Sequence, residues 1–425
     1  MNGLGRHSRQ LIRACWSNSL CRQAPLPISA AQRCRYSSSV SNGSLAGAAG
    51  IDIEAIRAEM LARRPQVHMD IITPLNSNHL ITALSEFLPE ECYENQLTSD
   101  GELYDCIPFD HNKKRPIPAG HHLVYFPLQR RGSDLCSDGT DPYHAPRDTP
   151  FTRRMWAGGS IRGFGQLSLG EGKALCLERI VDVSVRGSAG AEKIFVEVLR
   201  EYVNMDAGEN FGEKYGLDVI ILESQGKSTD HYYTTMHRPR DPREYDLKGI
   251  TERRTLVFMR EPSEKEKKMN LEQKQRIVKA PTNPDYSVTL TPTPTLLFHY
   301  SALTYNAHRI HLDRSYCREV EGHRDLLVHG PLSLTLMLSV LQSQLDTKEL
   351  ESIDNIDYRH LAPLYVGQPM RVCVKLQKSR AGGNEQGDAA SKIEGGRRRW
   401  DLWVENQDGS LCVRGTAETA KPRLE

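Results

Sequence analysis

The chain has 425 residues, which is enough for two or three domains with their own cores. Its 55 lysine and arginine residues nearly balance 54 aspartate and glutamate residues, which excludes a broad positive field for binding nucleic acid. The longest apolar run, 332–341, is about half as long as a transmembrane helix, so the sequence predicts no membrane span.

The amino-terminal segment has the composition of a targeting sequence. No acidic residue occurs before Asp52, and the first 36 residues are rich in arginine and serine. This composition is typical of a mitochondrial transit peptide, so we expect 1–36 to direct import into the matrix and to be removed near Tyr36. The alternative is a disordered basic tail. The arginines concerned are Arg6, Arg9, Arg13, Arg22, Arg33 and Arg35.

The next part of the chain predicts a first folded unit. Residues 37–150 are expected to form a linker and the helical or irregular beginning of this unit, with short helices over 51–65 and 79–89. Antiparallel strands are predicted over 151–262, because alternating segments are separated by glycine-containing turns. A charged run then indicates a solvated linker over 263–292. The predicted strands are MWAGGSIRGFGQLSLGEG, LCLERIVDVSVRGS, EKIFVEVLREYVNM, GLDVIILESQG and ITERRTLVFMRE.

A second unit is predicted over 293–425. It begins with a strand and turn, TLLFHYSALTYN, followed by a short helix, DRSYCREVEG, that Asp313 caps. A short strand, LLVH, precedes a long helix over 331–345, and further strands follow. Because the long helix is apolar on every side, the sheet must wrap around it, and we predict an α+β fold.

The amino terminus of this apolar helix is a candidate binding site. Pro331 suits the first turn, which places Gly330 at the N-cap, where its backbone is open to a ligand. The free N–H groups and partial positive charge of a helix N-terminus can polarise a carbonyl oxygen or stabilise an enolate. The alternative is that the Gly-Pro step only starts the helix.

Histidines are concentrated just before this helix, and His311 is the candidate general base. A zinc site formed by His308, His311 and Asp313 is the alternative, but no HExxH pattern or cysteine partner supports it, so we expect no metal. His299 and His323 are expected to be structural, and His329 is expected to be either structural or in contact with the substrate. Besides Asn306 and Gly330, the neighbouring candidates for contact with the substrate are Tyr305, His308, Arg309 and His329.

The stretch YSALTYNAHRIHLD, followed by LVHGPL, resembles the MaoC-like hydratase/dehydratase branch of the hot-dog fold. The variant NxHRIH, with MWAGG and ERRTLVFMRE upstream, is similar to fungal mitochondrial hydroxyacyl-thioester dehydratases of type two and to mesaconyl-CoA hydratases. The resemblance implies a double hot dog whose carboxy-terminal half keeps the active site. The motif's histidine falls on His311, its aliphatic residue on Ile310, its aspartate on Asn306 and its thioester-binding glycine on Gly330. An amide cannot exchange a catalytic proton, so Asn306 departs from the family's chemistry.

The resemblance implies reversible dehydration of a 3-hydroxyacyl thioester to the trans-2-enoyl thioester, without a cofactor. We expect His311 to take the proton from C2 and to return it to the departing hydroxyl group, which Asn306 holds. The carrier is expected to be acyl carrier protein, with CoA as its substitute in vitro. The alternatives are a hydratase of the mesaconyl-CoA type and a scaffold that binds acyl thioesters without turnover. The oligomeric state stays open.

Overall fold

The structure is a computed structural model, and ten of its strands form one sheet. The predicted transit peptide over 1–36 and the predicted strand GLDVIILESQG lie outside the residues that the structure describes. Among the described residues, no helix is long and apolar enough to cross a bilayer. The described residues are 52–93, 115–170, 172–188, 190–205, 249–272, 277–346, 350–377 and 397–421.

The secondary structure combines long strands with a few helices. The helices are α1 (Ile53–Leu61), α2 (Pro74–Leu84), α3 (Glu264–Glu272), α4 (Pro294–Leu303) and α5 (Gly330–Gln342). The strands of the first part are β1 (Gln66–Ile71), β2 (Arg115–Pro116), β3 (Arg153–Arg162), β4 (Ser168–Leu169), β5 (Lys173–Arg186), β6 (Lys193–Asn204) and β7 (Ile250–Met259). Those of the second part are β8 (Tyr286–Leu290), β9 (Ser352–His360), β10 (Met370–Leu376), β11 (Arg397–Asn406) and β12 (Leu411–Ala420).

The main sheet is antiparallel and consists of two halves joined edge to edge. Its strand order is β1-β5-β6-β7-β3-β9-β12-β11-β10-β8, so the first half is β1, β5, β6, β7 and β3, and the second half is the remainder. The halves meet where β3 pairs with β9, with Gly158 opposite Arg359. Helices packed against an antiparallel sheet confirm the predicted α+β fold with its double hot-dog arrangement.

Helix α5 forms the centre of the second half. Every residue from Leu332 to Leu341 is buried, and the helix contacts β3, β9, β10 and β11. The apolar helix that the sequence predicted is therefore wrapped by strands. It begins one residue earlier than expected, because His329 is the N-cap and Gly330 is the first helical residue. The first turn still presents the amide groups that have no partner within a helix.

Two local predictions for the second half are wrong. TLLFHYSALTYN was expected to be a strand but forms α4, because Thr293 Oγ1 accepts a hydrogen bond from Leu296 N–H and Pro294 suits the first turn. The segment LLVH makes only an isolated bridge, between Leu327 and Tyr365. In addition, the expected linker 263–292 contains α3 and β8. The helix expected after Asp313 is confirmed: residues 314–320 are helical, with π-helical geometry over Tyr316–Val320, and Asp313 Oδ1 caps the helix by accepting a 3.0 Å hydrogen bond from Tyr316 N–H.

Candidate active site

A cavity of about 850 Å³ joins the two halves of the molecule. The first half contributes residues of β3, including Arg154 and Trp156. The second half contributes the segment after α4 and the start of α5, including Gly330. The predicted catalytic residues Asn306 and His311 both line this cavity, so the fold brings the two sequence motifs together.

His311 is held as a neutral base. Its Nδ1–H donates a 2.8 Å hydrogen bond to the carbonyl oxygen of Leu327, which leaves Nε2 as the unprotonated ring nitrogen. Burial, with the positive charge of Arg154, lowers the pKa of His311 to about 4, although the hydrogen bond to Leu327 opposes this effect. At neutral pH the side chain is therefore ready to accept a proton.

His329 lies behind this base and does not face the cavity. Its ring stacks on His311 with 3.6 Å between centroids, and its Nε2 shares a 2.9 Å hydrogen bond with Ser301 Oγ. Burial, together with His311 and His308, places the pKa of His329 well below its usual value. Of the two roles expected for His329, this position agrees with the structural one, because the ring stacks on His311 and is not part of the cavity lining.

Of the other predicted binding residues, some line the cavity and one does not. Asn306 lines the cavity, and its Oδ1 accepts a 3.1 Å hydrogen bond from His308 N–H, which leaves its NH₂ group to donate. Tyr305 also lines the cavity and is 62% exposed. Arg309 is not part of the lining, because its guanidinium pairs with Asp313 at 2.8 Å and lies over the Tyr316 ring.

Gly330 places the N-terminus of α5 in the cavity wall. A Cβ atom at this position would lie 3.2 Å from His360 Nε2 and 3.2 Å from Trp156 Cβ. These separations are tighter than ordinary van der Waals contact. Only a glycine leaves the first amide of the helix accessible to a carbonyl oxygen in the cavity.

A loop of the first half packs on the catalytic segment. The backbone carbonyl of Asp138 accepts a 2.8 Å hydrogen bond from Arg309 N–H, and Asp138 Oδ2 lies 3.5 Å from His308 Nε2. Sequence reasoning missed Asp138, because the Asp-Gly step at 138–139 carries only the signal of a turn. Burial raises the pKa of the Asp138 carboxyl.

Arg154 is a second residue of the first half that lines the cavity and that the sequence did not predict. Within the described part of the chain, its guanidinium forms no hydrogen bond or ion pair, although it lines the cavity. Burial lowers its pKa, while Asp138 and Asp141 oppose this effect. A guanidinium remains protonated at physiological pH, so Arg154 supplies positive charge beside the base.

The far end of the cavity contains a buried cluster that could be mistaken for a metal site. Asp141, His144 and Glu178 bring their ligand atoms within 4.8 Å of one another. However, Arg130 lies 3.1 Å from Asp141, and Arg200 lies 3.0 Å from Glu178. The arginines already compensate both carboxylates, so this donor set does not fit a divalent cation.

A neutral imidazole and an accessible helix N-terminus, facing one cavity of a double hot-dog sheet, define an acid–base enzyme of the hydratase/dehydratase class. The family model described as hydroxyacyl-thioester dehydratase type 2 matches residues 120–215 and 223–366, more than half of the chain. The chain belongs to this family and is a hydro-lyase acting on acyl thioesters, as the sequence predicted.

Individual relatives agree with the family assignment. The chain is 27% identical over 296 residues to "Hydroxyacyl-thioester dehydratase type 2, mitochondrial" of Schizosaccharomyces pombe, covering 68% of this chain and 89% of that protein. It is 26% identical over 308 residues to "Mesaconyl-C(4)-CoA hydratase" of Chloroflexus aurantiacus, covering 71% of this chain and 84% of that protein. Among solved structures, a MaoC-like dehydratase from Phytophthora capsici aligns with a TM-score of 0.48 and 10% identity, covering 86% of this chain and 98% of that chain.

Proposed function

We propose that the protein dehydrates 3-hydroxyacyl groups carried on acyl carrier protein, in fatty-acid synthesis of the mitochondrial matrix. The observation that carries the proposal is the hydrogen bond from His311 Nδ1 to Leu327 O, because it leaves Nε2 to accept a proton from a substrate in the cavity. The catalytic segment and the helix N-terminus that this chemistry needs lie on the same cavity.

The reaction begins with the substrate's thioester carbonyl at Gly330. The N–H of Gly330, at the positive end of α5, stabilises the negative charge that develops on the carbonyl oxygen. His311 Nε2 then takes the proton from C2, which this carbonyl acidifies. The NH₂ group of Asn306 holds the hydroxyl group at C3 by donating a hydrogen bond to it.

Two observations support the location in mitochondria, and the proposed pathway determines the carrier. The first 36 residues have the acid-free, arginine-rich composition of a matrix-targeting peptide, and the Schizosaccharomyces pombe relative carries the word "mitochondrial" in its name. Acyl groups in fatty-acid synthesis are carried as thioesters of acyl carrier protein. Gly330 would recognise a thioester carbonyl in the same way on either carrier, so CoA should substitute for the protein.

Kinetics with matched carriers test the proposal. Residues 37–425 should convert 3-hydroxybutyryl-acyl carrier protein to the crotonyl thioester, with a higher kcat/KM than for 3-hydroxybutyryl-CoA. A higher kcat/KM for the CoA thioester would contradict the choice of carrier. Saturable binding of both thioesters without any turnover would contradict dehydration and would favour the scaffold alternative.

Arg154 favours a second candidate, a hydratase of the mesaconyl-CoA type. The half-buried guanidinium, which has no hydrogen-bond or ion-pair partner among the described residues, could pair with a second carboxylate on the acyl group. Mesaconyl-CoA and crotonyl-CoA differ in this respect, so their hydration rates separate the candidates. A preference for mesaconyl-CoA that is lost in Arg154→Met would support the second candidate, and a preference for crotonyl-CoA would contradict it.

A further inference from the structure

The residue that replaces the family's aspartate, Asn306, cannot give a proton to the departing hydroxyl group. The first half of the molecule brings a carboxyl group to the same segment. We infer that His308 protonates the hydroxyl group at C3 and that Asp138, acting through His308, supplies the proton. This inference rests on the proposed dehydration, and it replaces the expectation that His311 performs both proton transfers.

The side chains of Asp138 and His308 face each other in a buried setting. Asp138 Oδ1 accepts hydrogen bonds from Thr140 N–H at 2.9 Å and from Thr140 Oγ1 at 2.7 Å, which fixes the carboxyl plane. Asp138 Oδ2 and His308 Nε2 lie 3.5 Å apart, and within the described residues both are buried atoms without a hydrogen-bond partner. A small rotation of the ring brings the two atoms to hydrogen-bond distance.

The backbone fixes this pair across the boundary between the halves. Asp138 O accepts a hydrogen bond from Arg309 N–H at 2.8 Å. The next residue, Gly139, has a φ of +85°, and a Cβ atom there would lie 2.0 Å from Ala307 O. The backbone of the loop at Gly139 therefore packs directly on the backbone of the catalytic segment, and this contact keeps Asp138 opposite His308.

His308 is placed to act on the substrate. It lines the cavity, and because its Nε2 faces Asp138, Nδ1 is the ring nitrogen left for the substrate. Its ring centroid lies 5.4 Å from that of His311, with the rings nearly perpendicular. The hydrogen at C2 and the hydroxyl group at C3 are on adjacent carbons, so two neighbouring imidazoles can serve them at the same time.

Burial and the neighbouring charges favour one proton shared between Asp138 Oδ2 and His308 Nε2. Burial raises the pKa of Asp138, and burial, His311, Arg154 and His323 lower the pKa of His308 well below its usual value. Among the other charged groups, Arg154 lowers the pKa of Asp138 and Glu321 raises it. Burial disfavours both the carboxylate and the imidazolium, so it favours the uncharged form of the pair, in which the Asp138 carboxyl holds a proton facing a neutral His308.

The proton transfers then balance. His311 Nε2 takes the C2 proton, and that electron pair forms the double bond while the C3–O bond breaks. His308 Nδ1 gives its proton to the leaving oxygen, which departs as water, and the Asp138 carboxyl proton moves to His308 Nε2. The enzyme returns to its starting state when water carries the proton from His311 back to the pair.

A substrate whose leaving group needs no proton tests the inference. Elimination from 3-chlorobutyryl-CoA releases chloride and gives the same enoyl thioester as dehydration of 3-hydroxybutyryl-CoA. Asp138→Asn and His308→Gln should each lose dehydration by about 10²–10⁴-fold, the range of one acid–base group, and retain most chloride elimination. Asp134→Asn, a change to an exposed carboxylate nearby, should leave both reactions intact.

Each outcome decides a separate point. Equal losses on both substrates would make Asp138 and His308 merely structural and would overturn the inference, as would full dehydration activity in Asp138→Asn. His311→Ala should lose both reactions, because both need the C2 proton removed. Unchanged chloride elimination in His311→Ala would instead overturn the proposed role of His311.

Discussion

The two halves of the sheet bury different chemistry. In the first half, Glu178 pairs with Arg200 at 3.0 Å and Glu252 pairs with Arg254 at 2.5 Å, and both carboxylates are buried. In the second half, the core surrounds the apolar helix α5, and the histidines beside it are neutral at physiological pH. The carboxylates named in the first half are therefore paired with arginines, whereas the histidines of the second half are kept neutral by burial.

The difference shows why the base lies in the second half. Although burial alone would raise the pKa of Glu178, His144 and Arg200 hold it well below its usual value, so this carboxylate stays ionised and is only a weak base. Among the residues that the structure describes, no carboxylate contacts His311, and burial keeps the imidazole neutral. Substitutions should therefore affect turnover in the second half and stability in the first.

The largest expected effect is that of His311→Ala. Removing the imidazole removes the acceptor for the C2 proton, so kcat should fall by about 10²–10⁴-fold while the fold persists. Steady-state dehydration of 3-hydroxybutyryl-CoA measures the loss, and circular dichroism checks the fold. A variant that folds and retains most of its activity would place the base elsewhere.

Gly330→Val should also abolish most turnover. The added side chain meets His360 and Trp156, and it fills the space in which the thioester carbonyl approaches the helix amide. Loss of one oxyanion donor costs about 10²–10³-fold in kcat. Gly330→Ala adds only a methyl group and is the matched, milder change, so its kcat should fall less than that of Gly330→Val. Wild-type kinetics in a folded Gly330→Val protein would mean that Gly330 only starts the helix.

In the first half, Glu178→Gln should reduce stability rather than chemistry. The change leaves Arg200 without its charged partner and weakens the hydrogen bond that His144 Nε2–H donates. Breaking a buried ion pair costs about 3–5 kcal/mol of unfolding free energy. Chemical denaturation should show this loss, while kcat per folded molecule stays near wild type. A selective loss of kcat would make the cluster part of the active site.

Asn306→Asp should shift the pH dependence of the reaction. A carboxylate beside His311 favours the imidazolium, so the pKa of His311 should rise from about 4. Because only the neutral imidazole accepts the C2 proton, the acid limb of kcat/KM should move to higher pH. An unchanged pH profile would show that position 306 does not influence the base.

Asn306→Ala should have the smallest effect, since it removes only a neutral hydrogen bond to the hydroxyl group. Such a bond contributes about 0.5–1.5 kcal/mol. Comparing kcat/KM of this variant with that of His311→Ala separates the two roles. A greater loss in Asn306→Ala than in His311→Ala would reverse the assigned division between positioning and proton transfer.

The sequence predicted the parts of the site that are local in the chain. The histidine segment and the Gly-Pro step before an apolar run predicted His311 and Gly330 as site residues, and both line the cavity; each prediction depends only on neighbours in sequence. The sequence could not predict Asp138 or Arg154, which reach the cavity only when two distant parts of the sheet meet. It also misjudged α4, where the Thr293-Pro294 helix start outweighed an apolar and aromatic composition that suits strands.

The central claim is that His311 is a neutral base at physiological pH, held by Leu327 O with Nε2 free. Nitrogen NMR of protein labelled with ¹⁵N-histidine tests this most directly, with His311→Gln used to assign the signal. The account predicts protonated Nδ1 and unprotonated Nε2 at pH 7, with imidazolium appearing only as the pH falls towards about 4. An Nε2–H tautomer, or an imidazolium at pH 7, would contradict the account.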